Sequence, residues 1–162
     1  LEKPVVVETL EYHLRSVQKQ AKTKTNAPML HGPILVAEDN EINAYIIEAI
    51  LVDSGHEVVI ASDGQKTIDW LKNSTIPPEV ILMDMQMPTM DGVTATRYIR
   101  QEMQLTIPII GLTANALKSD HELCLDAGMD QVLTKPIDKK ALIAAIHRLA
   151  AASDLGTVKL TR

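Results

Sequence analysis

The sequence predicts an α/β domain built on a doubly wound parallel sheet, and two observations support this fold class. Short runs of aliphatic residues recur along the chain, and longer helix-like stretches separate them. Runs this short and uniformly apolar are typical of parallel strands buried on both faces. Regular alternation of strand and helix places helices on both sides of such a sheet. Strands are predicted near 34–38, 57–61, 79–84, 107–112 and 130–134, and helices near 41–54, 64–74, 91–103, 114–127 and 138–151.

Residues that begin or end helices fall at these predicted boundaries. Gly55 and Gly128 each follow a predicted helix, where glycine is the usual C-terminal stop. Asp-Gly pairs at 63–64 and 91–92 stand where the second and third helices begin. The turn chemistry therefore agrees with the hydrophobic pattern.

Composition narrows the class of protein. A chain of 162 residues is long enough for one domain and an extension, and 46% hydrophobic residues allow a packed core. The net charge of −5 argues against a general nucleic-acid binder. The single cysteine excludes an internal disulfide, and no signal peptide or membrane-length apolar stretch is present, so we expect a cytoplasmic setting without membrane contact. Because the chain begins at Leu1, we expect it to be part of a longer protein.

The first 33 residues differ from the rest. An apolar stripe with helical spacing precedes a polar, turn-rich segment, which predicts a helix and a linker. Leu1–Val5 also aligns with Leu133–Ile137, and apolar residues follow both segments at matching positions. We therefore predict that 1–20 is the end of a preceding similar domain, with a linker at 21–33, the main domain at 34–150 and a flexible tail at 151–162. Chance similarity is the alternative. The stripe predicts docking, including a homodimer, through Val7, Leu10, Leu14 and Val17.

Polar residues suited to one kind of chemistry stand at the ends of the apolar runs. They are Glu38 and Asp39, Asp84, Thr113 and Lys135. Ligands of open parallel sheets bind beyond the carboxyl ends of the strands, so these side chains are predicted to converge on one pocket.

Three carboxylates at this edge would form an all-oxygen site, which suits Mg²⁺. With their charge neutralised, Asp84 could act as the nucleophile towards a phosphoryl group, and aspartyl phosphate formation is an established reaction of carboxylates. Lys135 would supply a positive charge, and Thr113 a hydroxyl able to donate to a phosphoryl oxygen.

Each of these residues also has a purely structural interpretation. Glu38 and Asp39 could cap the first helix, and Asp84 could open a turn before Pro88. Thr113 could be the N-cap of the fourth helix, and Lys135 an ordinary surface lysine. Their joint occurrence at every strand end that could reach the pocket favours the phosphoryl site.

Four segments together resemble the receiver domain of two-component signalling. Val36–Asn43 is similar to the acidic metal motif, and Leu82–Gly92 to the phosphoacceptor strand and its loop. Ile109–Ala116 and Leu133–Pro136 resemble the switch-threonine and lysine-proline motifs. The sequences of the first two segments are particularly similar to those of receivers of hybrid histidine kinases. The resemblance implies a flavodoxin-like fold, a five-stranded parallel sheet of (βα)5 type, with the N-terminal helix and linker as additions.

The resemblance also implies roles for individual residues. Asp84 is the expected phosphoacceptor, while Glu38, Asp39 and the backbone carbonyl of Gln86 are expected to hold Mg²⁺ together with Asp84. Thr113 and Lys135 are expected to contact the phosphoryl group. The Lys135–Pro136 bond is expected to be cis.

One position departs from the family pattern. Val132 stands where such receivers often carry an aromatic residue that rotates when the threonine moves. The resemblance implies that phosphorylation draws Thr113 and the following loop towards Asp84, but an aromatic rotor cannot be the readout in this chain.

Partners and activity also follow only from the resemblance. A histidine kinase core, a histidine phosphotransfer domain, or both are the expected partners. The parent protein is expected to be a hybrid histidine kinase, with a membrane-bound kinase as one form of it. The fragment itself would have only self-phosphorylation and dephosphorylation chemistry. The alternative is a pseudo-receiver, an interaction module that is not phosphorylated.

Overall fold

Residues 32–160 are described by the computed structural model, and they form one parallel sheet flanked by helices. The strands are β1 (Ile34–Ala37), β2 (Val58–Ala61), β3 (Val80–Asp84), β4 (Ile109–Thr113) and β5 (Gln131–Thr134). The helices are α1 (Glu41–Asp53), α2 (Gly64–Asn73), α3 (Gly92–Gln101), α4 (Lys118–Ala127) and α5 (Lys139–Leu160). The strand order is β2-β1-β3-β4-β5, and every neighbouring pair is parallel. The predicted doubly wound, flavodoxin-like five-stranded sheet is confirmed.

The core lies on both faces of the sheet and contains no phenylalanine. On one face, aliphatic and methionine side chains from the strands pack with residues of α2, α3 and α4. On the other face, they pack with α1 and α5. All side chains of the central strands β1, β3 and β4 are buried, which explains why these strands have apolar rather than alternating sequences.

Two helices differ from the sequence prediction. The fourth was expected at 114–127, but α4 begins at Lys118, because the chain after β4 first forms a loop with Leu117 at the N-cap position. The last was expected to end near 151 and to be followed by a tail, but α5 continues to Leu160. Alanines at 150–152 favour helix, and no proline follows to stop it.

Two predictions concern residues outside the described part of the chain. The helix and the repeat at 1–20 lie there, as does most of the linker at 21–33, so the preceding domain and the homodimer stay predictions.

The cis peptide bond between Lys135 and Pro136 is present as expected. None of the helices between residues 32 and 160 combines the length and apolar character that a membrane span requires.

Candidate functional site

The strand register brings the polar strand ends to one edge of the sheet. Ala37 pairs with Met83, so Glu38 and Asp84 follow at the same level of adjacent strands. Asp84 in turn pairs with Leu112, and Thr113 pairs with Thr134 immediately before Lys135. The order of the strands, rather than any local motif, therefore places residues far apart in sequence beside one another.

Glu38 is buried, and the capping role belongs to its neighbour. The Glu38 side chain is only 2% exposed, and its Oε1 accepts a hydrogen bond from the Asn40 N–H at 3.1 Å. Asn40 is the N-cap of α1, where its side chain accepts from the Asn43 N–H at 3.0 Å. Asp39 is exposed. The purely structural interpretation, in which Glu38 and Asp39 cap the helix, is therefore wrong.

Asp84 ends β3 with a carboxylate that is almost closed off from solvent. Its residue exposure is 6%, and Oδ1 accepts only a long hydrogen bond, 3.4 Å, from the Gln86 N–H. A turn before Pro88 therefore uses little of the carboxylate's capacity. The structure gives no contact of the Gln86 carbonyl, so its role as a metal ligand stays a prediction.

The loop from 85 to 91 is held by two glycines, which are the first residues of α2 and α3. The Gly92 N–H donates to the Met85 carbonyl at 3.0 Å, and a Cβ at position 92 would lie 2.0 Å from the Asp84 carbonyl oxygen. The Gly64 N–H donates to the Met90 carbonyl at 3.1 Å, and a Cβ at position 64 would lie 2.5 Å from that oxygen. Both glycines are required by this close approach of backbone to backbone.

Within this loop, Thr89 has a left-handed backbone with a φ of 66°. The Met90 N–H donates to the Pro88 carbonyl at 2.7 Å across it, which forms a tight three-residue turn. A β-branched residue rarely adopts this conformation, so the loop holds local strain next to the candidate nucleophile. No feature of the sequence indicates this strain.

Lys135 joins two of the three carboxylates. Its Nζ lies 2.8 Å from Glu38 Oε2 and 3.3 Å from Asp84 Oδ2, and the side chain is 20% exposed. Lys135 is thus a partly buried member of the site and not a surface lysine. Burial opposes its charged form, but the hydrogen bond and charge of Glu38, with those of Asp84, outweigh burial and raise the pKa of Lys135.

The cluster carries more negative charge than Lys135 can balance. Glu38, Asp39 and Asp84 each offer a carboxylate oxygen, and these oxygens lie within 4.8 Å of one another. Burial, followed by the charge of Glu38, raises the pKa of Asp84 to about 6, although Lys135 opposes this shift. Three closely spaced oxygen ligands that lack a balancing charge fit a hard divalent cation such as Mg²⁺.

Thr113 is at the site edge, but its hydroxyl faces its own loop. The residue is buried, and its Oγ1 donates to the Asn115 carbonyl and accepts from the Asn115 N–H, both at 3.2 Å. The Lys135 N–H donates to the Thr113 carbonyl at 2.7 Å, which ties the ends of β4 and β5 together. Because the N-cap of α4 is Leu117, the interpretation of Thr113 as a helix cap is wrong.

Val132 is partly buried and packs against the core cluster on its side of the sheet. A Cβ at Gly111 would lie 2.4 Å from the Met129 sulfur and 3.6 Å from a Val132 methyl group. Met129 therefore occupies the space beside β4 in this region. Aliphatic and thioether side chains therefore fill this region.

Sequence reasoning missed an exposed apolar patch next to the site. Ile42, Tyr45 and Ile46 lie on the first turns of α1 and are 72%, 71% and 48% exposed. They are spaced three and four residues apart, so they share one face of the helix. That spacing directly after the acidic pair was the signal available in the sequence.

Comparison with known proteins agrees with this geometry. Residues 34–147 match the family model for the response regulator receiver domain. Hybrid signal transduction histidine kinase I of Dictyostelium discoideum is 40% identical over 130 residues, which are 76% of this chain and 7% of that protein. The osmosensing histidine protein kinase SLN1 of Saccharomyces cerevisiae is 40% identical over 123 residues, 74% of this chain and 10% of that protein. The chain thus spans a small part of these relatives.

Solved structures are similar over the same region. The receiver domain of a Pseudomonas aeruginosa sensor histidine kinase, with a magnesium ion coordinated in its active-site cleft, is 40% identical with a TM-score of 0.67. The match covers 75% of this chain and 99% of that one. A Francisella response regulator receiver domain is 26% identical with a TM-score of 0.70, and the match covers 76% and 99% of the two chains. The fold, the strand-end acids and the family match lead to one conclusion: this chain belongs to the response regulator receiver domain family.

Proposed function

We propose that Asp84 accepts a phosphoryl group from a histidine donor in a phosphorelay, and that Mg²⁺ is required. The observation that carries the proposal is the position of the Asp84 carboxylate. It is nearly buried at the end of β3, shares a cation-sized space with Glu38 and Asp39, and lies 3.3 Å from the Lys135 Nζ. A phosphoryl acceptor needs such positioning and charge neutralisation more than covalent assistance.

The reaction begins with attack of an Asp84 oxygen on the phosphorus of a phosphohistidine. A P–O bond forms, the P–N bond breaks, and the imidazole leaves with the electron pair and takes up a proton. With a pKa of about 6, the Asp84 carboxyl is largely ionised at neutral pH and can act as the nucleophile. Bound at Glu38, Asp39 and Asp84, Mg²⁺ would neutralise the carboxylates and the phosphoryl oxygens that approach them.

Lys135 would then form an ion pair with the phosphoryl group added to Asp84. Its Nζ is closer to Glu38 than to Asp84, so it can keep the bond to Glu38 while it donates to a phosphoryl oxygen on Asp84. Thr113 would have to give up its two bonds to Asn115, and both are at the long end of the hydrogen-bond range. This exchange supports a switch in which Thr113 and the loop before α4 move towards the phosphorylated Asp84.

The donor would dock on the exposed patch of α1. Ile42 is three residues from Asp39, so a domain that presents its phosphohistidine to Asp84 would cover Ile42, Tyr45 and Ile46. An apolar cluster beside a polar site is typical of an interaction surface. We propose that this domain is a histidine kinase core or a histidine phosphotransfer domain and that the parent protein is a hybrid histidine kinase.

Phosphorylation by acetyl phosphate with Mg²⁺ tests the acceptor. We expect one acyl phosphate per chain, lost when the metal is chelated and absent in Asp84→Asn. Asp126→Asn is the matched control, because Asp126 is an exposed acid on α4. Undiminished labelling of Asp84→Asn would show that another residue is the acceptor. No labelling of the wild-type chain would favour the pseudo-receiver.

Transfer from a phosphorylated histidine phosphotransfer protein tests the docking surface. Tyr45→Ser and Ile46→Ser should slow this transfer and leave labelling by acetyl phosphate unchanged, because the small donor needs no docking surface. Ile76→Ser is the control, since Ile76 is 56% exposed but lies in the loop after α2. Equal slowing by all three variants would contradict docking on α1.

A further inference from the structure

Two histidine rings meet away from the acidic cluster, where the turn between α1 and β2 packs against α5. His56 lies in the turn and His147 on the helix, and their ring centroids are 5.5 Å apart with an interplanar angle of 65°. His56 is 8% exposed, and its backbone N–H is bound to the Leu51 carbonyl at 3.0 Å. The turn therefore holds His56 in position against α5.

Both rings have a polar atom without a partner. The Nε2 atoms of His56 and His147 are buried and make no hydrogen bond. A buried polar atom without a partner costs about 1–3 kcal/mol, so most such atoms in native proteins are paired. Two unpaired imidazole nitrogens on contacting rings point to a ligand that binds both.

The spacing of the rings fits a shared metal ion. Two imidazoles bound to one Zn²⁺ at about 2.0–2.1 Å, with a tetrahedral or slightly wider angle, have ring centres roughly 5–6 Å apart. The observed 5.5 Å lies within this range.

We propose that His56 and His147 form a two-histidine site for a divalent transition-metal ion that prefers imidazole, such as Zn²⁺, Ni²⁺ or Cu²⁺. Nitrogen ligands select these ions over Mg²⁺, so Mg²⁺ should not compete for this site. The Lys139–Asp53 ion pair, 2.8 Å long, already joins α5 to the end of α1. The bound ion adds a second link between α5 and the α1–β2 turn.

Calorimetric titration with Zn²⁺ tests the proposal. The buffer contains a large excess of Mg²⁺, which occupies the oxygen site. The sequence has five histidines, so the titration uses the full chain with His13→Gln and His31→Gln. We expect one equivalent to bind, and either His56→Gln or His147→Gln to weaken binding on the order of tenfold or more. His121→Gln is the matched control, because its Nε2 is also buried and unpaired.

Imidazole ¹⁵N spectra provide the second readout. Zn²⁺ should shift the Nε2 resonances of His56 and His147 and leave that of His121 in place. Should His56→Gln fail to fold, His147→Gln alone and these spectra of the unmutated pair decide the question. Absence of saturable binding, or binding that both variants retain, would reduce the pair to a ring-packing contact.

Discussion

The receiver contains two charged networks. The charges of one are balanced, and the other has an excess of negative charge. In one, Arg100 donates to the Gly128 and Leu105 carbonyls at 2.9 and 2.8 Å and to Asp130 at 3.0 Å. In the other, a single lysine faces the carboxylates of Glu38 and Asp84, and Asp39 is close by. The first network pairs one cation with one anion, and each of the three guanidinium nitrogens donates to an acceptor within the fold. The second has excess negative charge and open ligand positions.

The difference separates a structural network from a functional one. Asp130 Oδ2 also accepts from the Ile109 N–H at 2.8 Å, so the first network anchors the start of β4 to the chain before β5. In the acidic cluster, burial, followed by the charge of Glu38, raises the pKa of Asp84, so the site opposes the ionised form of this carboxyl. A bound cation would neutralise these carboxylates and allow a phosphoryl group to approach Asp84.

Breaking the Arg100 network should produce the largest loss of stability. Arg100→Ala removes the donor of two partly buried carbonyls and one of the two donors to Asp130 Oδ2, so the free energy of unfolding should fall by about 2–4 kcal/mol. Urea denaturation measures this change. Arg97→Ala, an exposed arginine of α3, should have little effect. The folded fraction of Arg100→Ala should still be phosphorylated at Asp84; equal stability of the two variants would show that the network is not structural.

Neutralising Asp84 in the acidic cluster should raise the free energy of unfolding rather than lower it. In the presence of a chelator at pH 7.5, Asp84→Asn removes a buried charge beside Glu38 and should raise the free energy of unfolding by about 1–2 kcal/mol. The same variant loses phosphorylation entirely. Denaturation of Asp84→Asn beside Asp126→Asn measures the difference, and a fall in stability at Asp84 would contradict the imbalance.

The advantage of Asp84→Asn should also depend on pH. The folded-state pKa of Asp84, about 6, is above its unfolded value, so the charge penalty is complete above pH 6. It shrinks as pH falls through 6, because the folded protein then takes up the proton, and it vanishes below the unfolded pKa of about 3.9. Urea midpoints of both proteins at several pH values between 4.5 and 7.5 should converge at the acidic end. A constant difference would exclude Asp84 titration as its cause.

The smallest expected effect comes from backbone strain in the two regions. Thr89 near the acidic cluster and Gln104 near Arg100 both have positive φ, 66° and 54°. Asparagine tolerates this conformation better than a β-branched residue does, so Thr89→Asn should raise stability by about 0.5–1 kcal/mol. Gln104→Asn should gain less, since glutamine is not β-branched. Thermal unfolding compares the two, and a larger gain at Gln104 would contradict the assignment of strain to the phosphoacceptor loop.

The two networks also show what sequence can predict. The acidic cluster was predictable, because parallel strands in register carry their terminal residues to one edge and Glu38, Asp84 and Lys135 stand at such ends. Arg100 and Asp130 gave no signal, since a salt bridge between a helix and a loop 30 residues apart follows only from packing. The direction of the Thr113 hydroxyl was equally hidden, because it depends on the loop that delays the start of α4.

The two glycine contacts of the loop at 85–91 have a consequence for engineering. Gly64 and Gly92 fix both the path and the length of this loop, so an inserted residue would break one of two backbone hydrogen bonds. Thr75 and Ile76, in the loop after α2, are exposed, and the hydrogen bonds of Ile76 are local ones to the Ser74 hydroxyl. A fluorescent reporter or a peptide tag placed there should leave the receiver folded and active. The same insertion beside Pro88 should abolish phosphorylation even where the protein still folds.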